Sequence, residues 1–99
     1  MAEYVISYRA PQDYMPGRED DMAAWAAWFK NIGNNLVDFG SPVRDTIQIG
    51  HCGAEQRLRG YSVILAGNLD AALLVANRCP GLQDAGFGVE VGVVQETPG

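Results

Sequence analysis

The sequence is poor in basic residues and histidine, and it has no long apolar run. Its 99 residues contain seven Lys or Arg against twelve Asp or Glu, a net charge of −5, and one histidine. A domain that repels phosphate and has no basic stripe is not expected to bind nucleic acid. No stretch approaches the roughly 20 apolar residues of a membrane helix. The first residues also lack a signal peptide's basic and apolar regions, so we expect no membrane partner and a cytoplasmic location.

Cysteine and histidine are too few for a disulfide framework or a closed metal site. The two cysteines, Cys52 and Cys79, are expected to be free thiols in a reducing compartment. One histidine beside one cysteine does not supply the four ligands of a structural zinc site. The glycine-rich segment IGHCG lacks the lysine and the following helix of a phosphate loop. The sequence therefore predicts neither a metal nor a cofactor.

The chain does have a globular composition and clear apolar periodicity. Hydrophobic residues make up 47% and charged residues 19% of the sequence, which fits a single domain over 1–99 with one core. The periodicity and the turn residues predict strands at 4–9, 43–49, 61–66 and 89–94, and helices at 21–36 and 69–79. Asn68 is the expected N-cap of the second helix, and Pro80 is expected to end it.

The segment DMAAWAAWFKNIGNN has the apolar stripe of an amphipathic helix. Spacings of three and four residues define that stripe, which consists of Met22, Trp25, Phe29, Ile32 and Leu36. The stripe predicts that Trp25 is a core residue. Trp28 is off the stripe and is therefore the better candidate for a ring that faces a ligand or a dimer partner. The helix either ends at Gly33 with a left-handed residue or continues to Leu36.

The order of the elements, β-α-β-β-α-β, predicts a ferredoxin-like α+β sandwich. Two βαβ units give a four-stranded antiparallel sheet with both helices on one face, and right-handed crossovers give the strand order 4-1-3-2. The strands carry apolar residues at both alternating positions, for example Val5 beside Tyr4. A sheet exposed to water on one face would alternate more cleanly. We therefore expect a homodimer in which a second copy covers the open face of the sheet.

Several motifs resemble the YCII-related family, including its DGPF-type members. They are the aliphatic-Asp-x-Gly-x-Pro turn at 37–42, Gly60-Tyr61 in the third strand, Cys79-Pro80 after the second helix, and Val-Glu-Val at 89–91. The resemblance covers nearly the whole chain and implies a dimeric α/β-barrel built from ferredoxin-like protomers. In members that look like enzymes, a histidine at the start of the first helix pairs with an aspartate near the next turn. Asp38 lies near the place of that aspartate, but 21–24 contains no histidine, and the segment that corresponds to DGPF reads IGHCGAEQ.

Two residues are candidates for proton transfer, and five are candidates for a ligand pocket. Asp38 either bonds backbone N–H groups of its turn or acts as a general base. His51 lies in a glycine-bracketed loop and is either an exposed loop residue or the second proton-transfer group. The pocket candidates come from the first strand, the first helix and the third strand, and they are Tyr8, Trp25, Trp28, Phe29 and Tyr61.

Three functions remain open at the level of sequence. The first is a homodimeric YCII-like domain that holds a small apolar or aromatic ligand in a cleft between the first helix and the sheet. The second is an acid–base enzyme, an isomerase or lyase acting on a small carbonyl compound, with Asp38 and His51 as its proton-transfer groups. The third is a non-catalytic accessory or interaction module.

Overall fold

The computed structural model describes residues 1–14, 19–53 and 55–96, so 15–18, 54 and 97–99 of the predicted domain lie outside the described part. The strands are β1 (Ala2–Ala10), β2 (Leu36–Asp38), β3 (Arg57–Ala66) and β4 (Gly88–Val93), and the helices are α1 (Glu19–Ile32) and α2 (Leu69–Ala76). Short 3-10 turns follow the helices at Gly33–Asn35 and Pro80–Gln83. The described residues thus contain the predicted βαββαβ order.

The strands form an antiparallel sheet in the order β2-β3-β1-β4. The central strand β1 pairs along its whole length with β3 and also with β4, where Tyr4 lies opposite Val93. The short strand β2 pairs with β3 at Leu36 opposite Ile64. Read from the other edge, this is the predicted order 4-1-3-2. The ferredoxin-like α+β fold is therefore confirmed.

The second strand is not where the alternating pattern predicted it. β2 is a three-residue strand directly after α1, whereas 43–49 forms a loop in which Ile47 and Ile49 are 89% and 88% exposed. That loop touches the sheet at Pro42, which forms an isolated bridge to β3. The prediction was wrong because alternation produces a strand only where a neighbouring strand offers its edge, and the outer edge of β3 is taken by β2 and Pro42.

Alternate residues of the sheet face opposite sides. Tyr4, Ile6 and Tyr8 of β1 point toward the helices and are buried, as is Ile64 of β3. The opposite side carries half-buried apolar side chains from the two central strands, namely Val5, Val63 and Leu65. The core therefore lies between one side of the sheet and the helices.

The helices begin and end where local chemistry sets their limits. The Asn68 side chain accepts the Ala71 N–H at 2.8 Å and so caps α2, as predicted. α2 ends at Ala76, earlier than predicted, and α1 is followed at once by Gly33, whose φ of +60° is left-handed. Neither helix of the described chain has the length and apolar character needed to cross a bilayer.

The buried side of α1 is rotated relative to the predicted stripe. Trp28 is 6% exposed, and its Nε1–H donates to the Val75 carbonyl of α2 at 3.1 Å. Trp25 is half-buried, and Met22 is 66% exposed. The expectation that Trp28 faces a ligand or a dimer partner was wrong, because α2 packs on the flank of α1 that carries it, whereas Trp25 packs against the core as expected but is only half-buried. A stripe identifies a helix but not the neighbour that covers its flank.

Candidate ligand-binding site

A cavity of about 800 Å³ lies between α1 and the sheet. Its floor is formed by the helix-facing side of the sheet at Tyr8 and Ser62, and its roof by Trp25 and Phe29 of α1. Residues from the loops after β1 and β2 close its sides, together with Phe87 just before β4. A concave, largely apolar space with a few polar groups between two layers is typical of small-molecule sites.

The cavity wall is a connected set of aromatic rings. The Trp25 ring meets Tyr8 edge-on, with centroids 5.0 Å apart and planes at 88°, and it lies 6.1 Å from Phe87. The Phe29 and Phe39 centroids are 4.4 Å apart. Edge-to-face and tilted aromatic pairs of this kind stabilise the fold by more than the burial of their apolar area alone. The faces and edges that remain toward the cavity suit a flat, mainly apolar ligand.

Two hydroxyl groups form a directed hydrogen-bond chain in the cavity floor. The Tyr8 hydroxyl donates to Ser62 Oγ at 2.7 Å, and the Ser62 hydroxyl donates to the Phe39 carbonyl at 2.8 Å. Each hydroxyl has one proton, so the Tyr8 oxygen keeps lone pairs but no free donor. Burial raises the pKa of Tyr8 well above its ordinary value; the Ser62 bond opposes this rise and the nearby Cys79 adds to it. Tyr8 is therefore a neutral hydrogen-bond acceptor at neutral pH.

Arg59 reaches the cavity because it is the extra residue of a β-bulge in β3. Consecutive residues of β1 pair with Gly60 and Leu58, which leaves Arg59 without a partner in β1. A bulge re-aims the side chain that it carries. The guanidinium carbon of Arg59 lies 5.6 Å from the centroid of the Tyr14 ring, and its Nη2 donates to the Tyr14 carbonyl at 3.1 Å. Arg59 is half-buried and lines the cavity.

Tyr14 is in turn held by the segment that precedes β4. Its hydroxyl donates to Asp84 Oδ2 at 2.6 Å, and its ring centroid lies 5.6 Å from that of Phe87. Burial and the hydrogen bond to the Asp84 carboxylate raise the pKa of Tyr14 above its ordinary value. Tyr14 thus links the loop after β1 to the segment before β4 and gives Arg59 a fixed support.

The turn after β2 sets the edge of the cavity. Asp38 Oδ1 accepts the Gly40 N–H at 2.8 Å, which is the usual role of an aspartate in a turn. Gly40 has a φ of +79°, and a Cβ at this position would collide with the Tyr61 carbonyl oxygen. Only glycine lets the turn lie this close to β3. The turn thereby places Phe39 against Phe29.

Four of the five predicted pocket residues line the cavity, namely Tyr8, Trp25, Phe29 and Tyr61. The prediction that Trp28 lines the pocket was wrong, because Trp28 is not among the lining residues. It is buried between α1 and α2, with its ring centroid 5.6 Å from that of Trp25. Trp28 therefore supports the cavity wall from behind.

The predicted proton-transfer residues are not among those that line the cavity. Asp38 is exposed and bonded to its own turn, and His51 is exposed in the long loop between β2 and β3. Cys52 is exposed next to His51, while burial raises the pKa of the Cys79 thiol to about 11 and leaves it unreactive at neutral pH. Among residues 1–14, 19–53 and 55–96, no group of three or more His, Cys, Asp or Glu is placed to hold a metal ion.

Sequence reasoning missed four residues that give the cavity its character: Tyr14, Phe39, Arg59 and Phe87. Tyr14, Phe39 and Phe87 lie in segments rich in turn residues, where periodicity carries no signal. Arg59 resembles an ordinary charge near the start of a strand, and a one-residue bulge leaves no mark in the composition. The available signal was an arginine directly before Gly60, at the start of a mainly apolar strand.

No protein-family model and no curated protein sequence matches the chain. Among solved structures, the fold is similar to that of 5-chloro-2-hydroxyhydroquinone dehydrochlorinase from Burkholderia phenoliruptrix AC1100, in complex with 2,5-dihydroxybenzoquinone. The match has a TM-score of 0.60 and 19% sequence identity, and it covers 96% of this chain and 95% of that one. At this identity the similarity establishes a shared fold.

Proposed function

We propose that this chain is a YCII-like domain that binds a small planar aromatic ligand in the cavity between α1 and the sheet. The observation that carries the proposal is the cavity itself, which combines a wall of aromatic rings with the Tyr8 oxygen and the Arg59 guanidinium. Rings pack on rings over a large apolar area, and a few placed polar groups orient the ligand. The shared fold with a protein solved in complex with 2,5-dihydroxybenzoquinone supports the same ligand class.

Titration of the whole chain with hydroquinone and with 2,5-dihydroxybenzoquinone tests this proposal. Binding to the native state raises the free energy of unfolding, by about 2.7 kcal/mol at a ligand concentration of one hundred times Kd. Urea unfolding with and without each probe measures that increase. Amide shifts in two-dimensional NMR would locate the bound probe at residues such as Phe29 and Ser62.

Trp25→Ala and Leu74→Ala form a matched pair of variants for this experiment. Trp25 lines the cavity, whereas Leu74 lies outside it on α2 and is 66% exposed. Trp25→Ala should weaken binding of both probes at least about tenfold, because an aromatic face and its packing are lost. Leu74→Ala should bind as the wild type does. If neither probe raises the stability of the wild type, the ligand-binding proposal is wrong and the interaction module becomes the better reading.

We also infer that the chain is a homodimer formed through the side of the sheet that faces away from the helices. The half-buried side chains Val5, Val63 and Leu65 form an apolar strip on that side. Arg9 and Glu90 form an ion pair at 3.5 Å beside it and give the strip a polar margin. An apolar centre with a polar rim is the usual anatomy of a subunit interface, and a two-fold axis would let each strip cover the other.

Sedimentation velocity at micromolar concentration tests the dimer. Val63→Glu should give a folded monomer, because it introduces a charge into the middle of the strip. Leu74→Glu introduces the same charge on α2 and should leave the dimer intact. A wild-type chain that sediments as a folded monomer would rule this dimer out, and circular dichroism would show whether each variant is folded.

Acid–base catalysis is the second candidate function, and the shared fold with a dehydrochlorinase is the observation that favours it. In this reading Asp38 or His51 transfers a proton on a small carbonyl compound or a related quinonoid. Incubation with 5-chloro-2-hydroxyhydroquinone should then release chloride, and either Asp38→Asn or His51→Gln should abolish the release without weakening hydroquinone binding. Absence of chloride release from the wild type would count against this candidate and leave ligand binding standing.

A further inference from the structure

The charged side chains of the cavity wall are not equivalent. Arg44 and Asp45 lie at the rim, where their side chains are 88% and 90% exposed and pair with each other at 3.7 Å. An ion pair so exposed interacts weakly and is well solvated. Arg59 is half-buried and also lines the cavity. Of the two described arginines that line the cavity, Arg59 is the one whose charge is less weakened by solvent, so a ligand inside the cavity would interact with it more strongly.

The Arg59 guanidinium is already positioned before any ligand arrives. Its stacking on the Tyr14 ring and its bond to the Tyr14 carbonyl restrict the side chain, and Asp84 fixes Tyr14. A planar guanidinium that is held in place loses little conformational freedom on binding. This arrangement is therefore suited to bind a ligand rather than to stabilise the fold alone.

Most of the hydrogen-bond capacity of Arg59 remains available. A guanidinium has five N–H donors, and among the described residues one bond uses them, the bond to Tyr14. Within the described part of the chain, no carboxylate lies at salt-bridge distance from Arg59. The remaining donors can form the paired bonds with which arginine binds a carboxylate or another ionised oxygen group.

The cavity floor offers a ligand a hydrogen-bond acceptor, whereas Arg59 offers donors. Because Tyr8 gives its proton to Ser62 and Ser62 gives its proton to Phe39, the Tyr8 oxygen can only accept. A ligand hydroxyl that donates to this oxygen would satisfy it. A ligand that has only acceptors would leave it unsatisfied, at a cost.

We propose that the cavity selects a planar aromatic or quinonoid acid with two features, an ionised oxygen group bound by Arg59 and a ring hydroxyl that donates to Tyr8. This inference rests on the proposed ligand-binding function and narrows it to one ligand class. Neutral phenols and unsubstituted aromatic acids each lack one of the two features and bind more weakly.

Isothermal titration calorimetry with three probes tests the inference on the whole chain. The probes are 2,5-dihydroxybenzoate, which has both features, hydroquinone, which lacks the charge, and benzoate, which lacks the hydroxyls. The wild type should bind 2,5-dihydroxybenzoate at least about tenfold more tightly than either of the others, as one charge-assisted hydrogen bond provides. Raising the salt concentration from about 0.01 to about 1 M should weaken binding of the two acids but not of hydroquinone.

Variants of Arg59 and Tyr8 test which residue causes each of the two binding preferences. Arg59→Gln should remove the advantage of 2,5-dihydroxybenzoate over hydroquinone, with a much smaller loss of affinity for hydroquinone, while Arg59→Lys should keep part of that advantage. Tyr8→Phe should remove the advantage over benzoate. Arg78→Gln removes a positive charge outside the cavity and should bind all three probes as the wild type does. If Arg59→Gln does not fold, Arg59→Lys and the salt series test the role of Arg59 instead.

Failure of the inference and failure of the proposed function look different. The role of Arg59 is wrong if the wild type binds 2,5-dihydroxybenzoate and hydroquinone with equal affinity, or if Arg59→Gln loses the same affinity for both. In either case, binding of hydroquinone would still support the proposed function. Binding of none of the three probes overturns both.

Discussion

The two flanks of α1 carry similar aromatic residues but have opposite characters. On the core flank Trp28 is buried against α2, where the small residues Ala72 and Ala76 are 0% and 2% exposed. On the cavity flank Trp25 and Phe29 face a cavity of about 800 Å³. The difference comes from the position of α2, which packs on the flank that carries Trp28.

A hollow can arise beside a helix when its neighbour covers only one flank. α2 packs against the flank of Trp28, whereas residues from loops close the flank of Trp25 and Phe29. Phe39, which follows β2, and Phe87, which precedes β4, provide aromatic rings on that second flank.

Replacement of the two tryptophans is the strongest test of the contrast. Trp28→Ala should lower the free energy of unfolding by about 3 to 5 kcal/mol, as for other buried aromatic residues. Trp25→Ala should cost about 1 to 2 kcal/mol, because one side of its ring already faces the cavity. Urea unfolding measures both values. Equal losses of stability in the two variants would mean that the cavity flank of α1 is as tightly packed as the core flank.

Two glycines with the same backbone angle sharpen the comparison at the cavity edge. Gly40 and Gly50 both have a φ of +79°, but a Cβ at 40 would collide with the Tyr61 carbonyl oxygen, whereas a Cβ at 50 would have no atom of the described residues within 4 Å. Gly50→Ala should cost about 1 kcal/mol for the left-handed backbone alone. Gly40→Ala should cost about 2 to 4 kcal/mol, because the turn must also move.

The measurement for this pair is again urea unfolding, combined with hydroquinone titration. Gly40→Ala should weaken hydroquinone binding because Phe39 moves with the turn, and Gly50→Ala should not. If the two variants were equally stable, the contact between the turn and β3 would be dispensable.

High pH provides the smallest of the three effects, and it reports on the cavity floor. The pKa of Tyr8 is raised in the folded protein, so above about pH 10, the ordinary value for tyrosine, the unfolded chain loses this proton first. The stability that Tyr8 contributes is fully present below that pH and is lost as the pH rises toward the folded value. The free energy of unfolding should fall by up to about 1.4 kcal/mol per pH unit from this group.

Tyr8→Phe is the matched variant for the pH experiment. It removes the titrating hydroxyl but keeps the ring, so its stability should fall less steeply between pH 10 and 11 than that of the wild type. Burial of the Cys79 thiol, whose pKa is about 11, adds a slope of the same sign that both proteins share. Parallel curves for the two proteins would show that Tyr8 ionises as freely when folded as when unfolded.

Local patterns in the sequence were enough to predict the fold. Asn68 caps α2 and Gly33 ends α1, because each of these features is set by near neighbours in the chain. The apolar strands at 4–9 and 61–66 are also recognisable from their own residues, and the order of the elements places them side by side at the centre of the sheet. The second strand could not be predicted, since β2 has three residues and a period needs more. The alternation at 43–49 was real, yet pairing depends on which edge is free.

The cavity was predictable only in part. Tyr8, Trp25 and Phe29 lie on regular elements, so their periodicity places them near the interface between helix and sheet. Arg59 and Phe87 depend on a bulge and on a turn, whose geometry follows from tertiary packing. The sequence also could not distinguish the cavity wall from the core, because that difference depends on the flank of α1 against which α2 packs.

The bulge at Arg59 has a consequence for how related sequences should be compared. If β3 had one residue fewer before Arg59, it would keep its strict alternation, and the arginine directly before Gly60 would then point away from the helices. Loss of the anion preference therefore requires no change of residue type, since deleting a single codon in this strand would suffice. A gap placed one column wrongly in an alignment would hide that event entirely.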